Sequence, residues 1–433
     1  MFLRRSAVAL AATALLCAAA APVALADGSP SPQKRLPTGL YGEGDPQYDG
    51  VWRQSVALLA QHATGVTPAK KAVTWLAGQQ CEDGSFVSYR ADSGKPCDAK
   101  TPGDTNATAV AVQALATADG HQDAVKTSVN WLKTVQNEDG GWSYNPGGPS
   151  DANSTAVVIG ALAAAGQQLE KARSAKGDNS PLHALTGLQL GCDAKAGERG
   201  AFAYQPGEKG ELAPNDAATV AAALAALGRG LDVAPAEEKD RKDTSVIPAP
   251  SCRDDGTYVL KDSARAAARY LSSALEKNGQ YLKAPAMPGA EDEGSEGDQG
   301  NQGDQPDYGN TALAVLALAA GEHPGAAQKP LNWLEKNFTK WDKSKNDPAA
   351  LGQLVLAVNA AGADPASFGG VNLVDRLNAT GPTPAATPDS AQADEHENDD
   401  PAPAVWWIIG VGVVAGVGIG LLLSMRNKKK QGS

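Results

Sequence analysis

Two kinds of apolar segment alternate along most of this chain, and a fixed alternation of that sort leaves few folds open. The first kind runs from a hydrophobic pair to a Gly just before an aromatic. It reads "WLAGQQCEDGSF" from Trp75, "WLKTVQNEDGGW" from Trp131 and "LTGLQLGCDAKAGERGAF" from Leu185, with degraded copies from Tyr270 and Trp333. The second kind opens on Asp or Asn and is rich in Ala, Val and Leu. It reads "DTNATAVAVQALATADG" from Asp104, "DANSTAVVIGALAAAG" from Asp151 and "NDAATVAAALAALG" from Asn215. "DYGNTALAVLALAAG" from Asp307 and "NDPAALGQLVLAVNAAG" from Asn346 complete that set. "DGVWRQSVALLAQHATG" stands before the first copy of the first kind, and "VNLVDRLN" after the last pair.

The first segments mix apolar and polar positions, as helices with one wet face do. The Asp-started segments are apolar nearly all round, which describes helices buried on every side, and they end in Gly, a helix stop signal. They are too short for membrane spans. Buried and half-exposed helices alternating at a steady period predict a repeat architecture. Six of the former and about six of the latter predict closure into a ring, an inner helical barrel wrapped by an outer one. Within the motif, Gln136 is expected to satisfy open backbone groups at the end of an outer helix. Gly140 and Gly141 permit the reversal, Trp142 covers the junction, and Asp151 caps the next inner helix.

The pattern Trp-Leu-x-x-x-Gln-x-x-x-Gly-x-Trp, here Trp131, Leu132, Gln136, Gly140 and Trp142, resembles the repeat of squalene cyclases and protein prenyltransferases. Trp75, Leu76, Gln80, Gly84 and Phe86 form a second copy, and Leu185, Gln189, Gly200 and Phe202 a looser third. The resemblance covers most of residues 45–378. It implies an all-α fold, an α6/α6 toroid of two concentric barrels, also seen in complement thioester domains and in cobalamin carriers of the transcobalamin type. The toroid is expected over residues 37–378.

The ends of the chain predict a compartment. Arg4 and Arg5 precede an apolar run and Ala24-Leu25-Ala26, which reads as a signal peptide over residues 1–26. Val405 to Leu423 is uncharged and apolar, long enough for one C-terminal transmembrane helix. Trp406 and Trp407 suit its outer interface, and the basic tail 424–433 suits the cytoplasmic side. Residues 379–404, rich in Pro, Ala and acid, read as a solvated stalk. The expected protein is thus a single-pass membrane protein with an extracellular N-terminal domain. Signal cleavage leaves Cys81, Cys97, Cys192 and Cys252, an even number that favours two disulfides outside the cytoplasm. Pairing Cys81 with Cys97 and Cys192 with Cys252 is preferred, since each closes a loop within one stretch of chain.

The formal charge of −11 argues against nucleic acid as a partner. Much of the acid lies in the stalk and in "AEDEGSEGDQGNQGDQPD", which solvation explains and which lacks the spaced ligands of a calcium loop. Helix starts at Asp104, Asp151, Asp216 and Asp307 would gather at one mouth of the ring, a cradle for polar ligands. Asn106, Asn153 and Asn310 join that candidate ligand-binding set, with Trp142, Tyr144 and Tyr204 from the connecting loops. Zinc-dependent prenyltransferases, by resemblance, need Cys and His at positions that hold Asn here, and amides are poor zinc ligands. Squalene-type cyclases need an Asp-x-Asp-Asp acid, and thioester domains a Cys-x-x-Gln; neither occurs. No catalytic residue, metal or cofactor is therefore assigned. The expectation is a small hydrophilic ligand, a corrinoid-like nutrient among the candidates, passed on to a transporter or shared with a separate β-domain protein, as Asp104, Thr105 and Ala107 loosely resemble cobalamin-carrier helix starts. The competing expectation is a terpenoid or carbohydrate enzyme of the same fold.

Overall fold

A computed structural model describes residues 36–98, 103–284 and 305–385. The expected signal peptide, most of the stalk, the transmembrane segment, the basic tail and most of the acidic insert lie outside those residues. Among the described residues no helix is long and apolar enough to cross a membrane.

The helices follow in the order α1 (Pro46–Ala63), α2 (Lys70–Gly78), α3 (Thr105–Ala116), α4 (Gln122–Thr134), α5 (Ala152–Ala164), α6 (Pro181–Thr186) and α7 (Asp216–Ala226). Then come α8 (Glu238–Arg241), α9 (Leu260–Lys277), α10 (Tyr308–Ala320), α11 (Pro324–Asn337), α12 (Pro348–Ala360) and α13 (Leu373–Asn378). The Ala-rich helices pack on one another in a circuit: α1 on α3, α3 on α5, α5 on α7, α7 on α10, α10 on α12, and α12 back on α1. That closed ring of six is the inner barrel. Outside it, α2, α4, α6, α9, α11 and α13 each pack on the inner helices. The Leu of each aromatic–Leu pair, at positions 76, 132, 271 and 334, and Leu185 are all buried and fill the space between the layers. A two-stranded ribbon, β1 (Leu282–Lys283) with β2 (Pro306–Asp307), is the one sheet among the described residues.

The first and last parts of the ring clasp each other to close the circuit. Gly42 N–H donates to Thr380 O at 2.8 Å, Gln61 Nε2 to Asn378 Oδ1 at 2.7 Å, and the Tyr41 hydroxyl to Pro382 O at 3.2 Å.

Four of the junctions from outer to inner helix use the same bonds, which explains the motif. The backbone N–H of Phe86, Trp142, Phe202 and Leu282 donates to the hydroxyl of Thr108, Thr155, Thr219 and Thr311, one turn into the following inner helix. The N–H of Asp104, Asp151 and Asn215 returns a bond to the carbonyl of Phe86, Trp142 and Phe202. A buried junction would otherwise orphan these groups. Gln136 does more than close its own turn: Nε2 donates to Gly140 O at 2.8 Å and to Ala172 O, in the next repeat, at 3.1 Å. Gln80 reaches Ala124 O and Gln189 reaches Ser263 O in the same way, so this residue staples one repeat to the next. Gly140, at φ +92°, packs so close to the next repeat that an added Cβ would meet Ser180 O at 2.5 Å.

Both disulfides form as expected, Cys81–Cys97 and Cys192–Cys252. Three helix starts differ from the sequence reading. Helix α1 is capped by Asp45, and the chain kinks at Asp49, whose carboxylate pairs with Arg53 at 2.9 Å. Helix α12 is capped by Asp347 rather than Asn346. Helix α7 is capped by Asn215, so Asp216 is its first helical residue and not its cap. In each case another Asx residue, adjacent at α7 and α12 and four positions earlier at α1, takes the extended backbone conformation that a cap needs.

Candidate functional site

The six inner helices enclose a cavity of about 220 Å³. Its upper wall is built from first-turn amides: Asn106 of α3, Asn153 of α5 and Asn310 of α10. Ala217 of α7 takes the corresponding place in the repeat that lacks an Asn. Trp52 of α1 and Gln353 of α12 complete the circle, and Val157, Val220, Leu313 and Leu316 make the wall below apolar.

The far end of the barrel is closed by the segment after α7. Leu231 N–H donates to Gln113 Oε1 at 2.9 Å, and Gln113 Nε2 donates to Val157 O at 3.2 Å. Gly160 lets this strap press in, because a Cβ there would lie 3.0 Å from the Gly230 Cα and 2.9 Å from Gln113 Nε2. The strap continues to α12, where Ala236 N–H donates to Ala360 O at 3.0 Å. The lumen is therefore a cup with its floor at the C-terminal ends of the inner helices and its amides at their N-terminal ends.

The amides differ in what they have left to offer. The Asn106 and Asn153 side-chain oxygens are buried and have no hydrogen-bond partner. Asn310 Nδ2 donates to Asp307 Oδ2 at 2.7 Å, which fixes its orientation. A buried carbonyl without a donor costs on the order of 1–3 kcal/mol, so two of them in one cavity mark it as a place for a donor-bearing group.

The acids expected at the mouth are committed to the helix ends. Asp104 accepts from Ala107 N–H at 2.9 Å, Asp151 from Ser154 N–H at 2.7 Å, and Asp307 from Asn310 N–H at 2.9 Å. Burial raises the Asp151 pKa above the ordinary carboxylate value, against the pull of backbone donors. Asp216 turns to the outer barrel, where it accepts from the Tyr270 hydroxyl at 2.7 Å. Burial, and then that carboxylate, push the Tyr270 pKa up.

Tyr144 and Tyr204 stand at the rim, 45% and 44% exposed. Their backbone carbonyls accept from Thr105 and Ala152, the first residues of α3 and α5. Burial raises both phenol pKa values, helped by the Asp104 carboxylate at Tyr144 and the Asp151 carboxylate at Tyr204. Trp142 is in the core instead, 0% exposed, with Nε1 donating to Leu132 O at 2.7 Å. It supports the rim from below and has no surface to offer a ligand.

The structure thus brings Asn106, Asn153 and Asn310 together in the lumen, sets Asp104, Asp151, Asp307, Tyr144 and Tyr204 around its edge, and takes Asp216 and Trp142 away from it. Trp52, Gln113 and Gln353 line the cup and went unread in the sequence. For Gln353 a signal existed, since it is a polar side chain inside an otherwise mostly apolar inner helix, whereas Trp52 sits among the polar residues of α1. Gln113 is legible only with its partner Leu231 in view.

Residues 51–180, from the first inner helix to the cap of α6, match the family model of the prenyltransferase alpha-alpha toroid domain. That segment thereby carries the prenyltransferase and squalene cyclase type of repeat. No curated protein matches the chain.

Proposed function

We propose that this chain is a membrane-anchored, extracytoplasmic binding protein whose ring holds a small neutral ligand, with an N–H or O–H donor turned to Asn106 and Asn153. The observation that carries the reading is the pair of buried, unpartnered amide oxygens in one enclosed cup. An apolar lower wall with a few convergent polar groups above it is the usual make-up of a small-molecule site. The lining is amide and aliphatic apart from Trp52 and Arg229, a set that binds better than it reacts. The two disulfides support an oxidising compartment, in keeping with the leader and the apolar segment 405–423.

Size narrows the ligand. The cup falls below the roughly 300–1,000 Å³ of drug-sized sites. A compact ligand fits inside. A corrinoid-like nutrient would insert a side group and leave its macrocycle on the rim against Tyr144 and Tyr204, the role in which a transporter or a β-domain partner would complete the site.

The test uses the full chain in detergent, screened by calorimetry against small neutral amides and polyols and by visible absorbance against cyanocobalamin. Asn106→Leu with Asn153→Leu fills the cup with apolar side chains. Binding is expected to weaken at least tenfold in that double variant while its helical content is kept. A ligand that binds the filled cup as tightly as the native one refutes the site.

A further inference from the structure

A second pocket, of about 440 Å³, lies on the outer wall between α9 and the two loops tied by Cys192–Cys252. Its floor is Pro250, Ala266 and the Tyr270 ring, and its polar groups include Arg199, Arg269 and the Tyr258 hydroxyl. Among the described residues no carboxylate lines it, in a chain where 49 acidic residues outnumber 38 Lys and Arg. The local balance therefore runs opposite to that of the whole molecule.

Neither arginine is paired with a carboxylate among the described residues. Arg199 Nε donates to Ala194 O at 2.9 Å, and Arg269 Nη1 donates to Ile247 O; the remaining N–H groups of each guanidinium are uncommitted. The neighbouring acids are already engaged, Glu198 with Lys195 at 3.2 Å and Asp262 with Arg265. Tyr258, 6% exposed over the whole residue, lines the pocket beside the two arginines. Both guanidiniums act on that phenol, pulling its pKa down against the larger effect of burial. A phenol hydroxyl set beside two exposed guanidiniums, with no carboxylate among the described lining residues, makes a donor-rich patch that suits an anion.

We infer that this pocket binds a compact oxyanion, a phosphate group carried on a small apolar body. Arg199 and Arg269 donate charge-assisted hydrogen bonds to its oxygens, and the Tyr258 O–H donates a third. The space beyond the two guanidiniums, over Pro250 and Tyr270, takes the body that bears the phosphate. This site is on the outside of the double ring and is independent of the lumen.

The experiment titrates the full chain with inorganic phosphate, and separately with acetate, by calorimetry in dilute chloride buffer. Saturable phosphate binding at one site is expected, weakened about tenfold by Arg199→Gln and a few-fold by Tyr258→Phe, with unchanged circular dichroism. Arg269→Gln also removes the contact to Ile247, so Arg199→Gln, which touches only its own loop, is the deciding variant. Absence of saturable phosphate binding overturns the proposal, as does equal binding by Arg199→Gln. Acetate bound more tightly than phosphate overturns the assignment of the anion.

Discussion

The cap at Asp151 tests whether the acidic helix starts are there for charge or for an acceptor oxygen. Asp151 is 1% exposed, and its carboxylate accepts the Ser154 N–H at 2.7 Å. In Asp151→Ala that buried N–H loses its partner, which costs about 2 kcal/mol, the upper end for a lost cap. In a domain this large the melting temperature falls by roughly 2 °C per kcal/mol, so a drop of about 4 °C is expected. Asp151→Asn should behave otherwise. The equivalent cap of α7 is an amide, Asn215, which accepts the Ala218 N–H at 2.8 Å. An amide at 151 keeps the acceptor and sheds a charge that burial disfavours, so its melting temperature at pH 7 should equal or exceed that of the native chain. The pH dependence follows in sign. Because the folded Asp151 pKa lies above the ordinary carboxylate value, stability from this group is greatest below the unfolded value. It is lost as pH rises through the folded value. Asp151→Asn should therefore gain on the native protein between acid and neutral pH. Thermal unfolding followed by circular dichroism at both pH values decides the matter. If Asp151→Asn is as damaged as Asp151→Ala, the negative charge at the helix end is what counts, and the reasoning fails.

Gly140→Ala should cost more than about 2 kcal/mol, since φ is +92° and the new Cβ would strike Ser180 O. Gly147→Ala, at φ +88° with nothing within 4 Å, isolates the backbone part of that cost and should be the milder of the two in urea unfolding. Replacing Cys192 and Cys252 by Ser opens a loop with a separation of 60 residues, against 16 for Cys81 and Cys97. Loop entropy predicts losses of about 4 and about 3 kcal/mol, and the reverse order in thermal melts would show that local packing, not chain entropy, governs these bridges.

The ring was legible because burial is periodic. The all-apolar runs after Asp104, Asp151 and Asp307 have no face to turn to water, and the recurring Leu at 76, 132 and 185 marks the seam between the layers. The cysteine pairing was legible because each bond closes a local loop. What escaped depends on partners far away in sequence. Asp216 reads like its counterparts at 104 and 151, but Asn215 before it is an equally good cap and Tyr270 on α9 claims its carboxylate. Trp142 reads correctly as the cover of its junction, but its bond to the Leu132 carbonyl, which takes it out of the ligand-binding set, does not show in the sequence. Gln136 carries no sign of its reach to Ala172. The cup's floor rests on a Gln113–Leu231 bond across 118 positions, and the outer pocket joins Arg199 to Arg269 and Tyr258 only after α9 has folded against its loops.

The clasp between Tyr41–Gly42 and Thr380–Pro382 sets a limit on how such a molecule can change. An open stack of hairpins can lengthen or shorten by whole units, each new copy finding a neighbour on its free side. Here the first and last units already occupy each other's free sides, so an added or deleted hairpin would pull the seam apart. Innovation is pushed into the connections instead, while the number of hairpins stays put. The same seam makes the ring a natural subject for circular permutation: residues near Tyr41 and Pro382 can be joined by a short linker and the ring cut in an exposed connection with little loss.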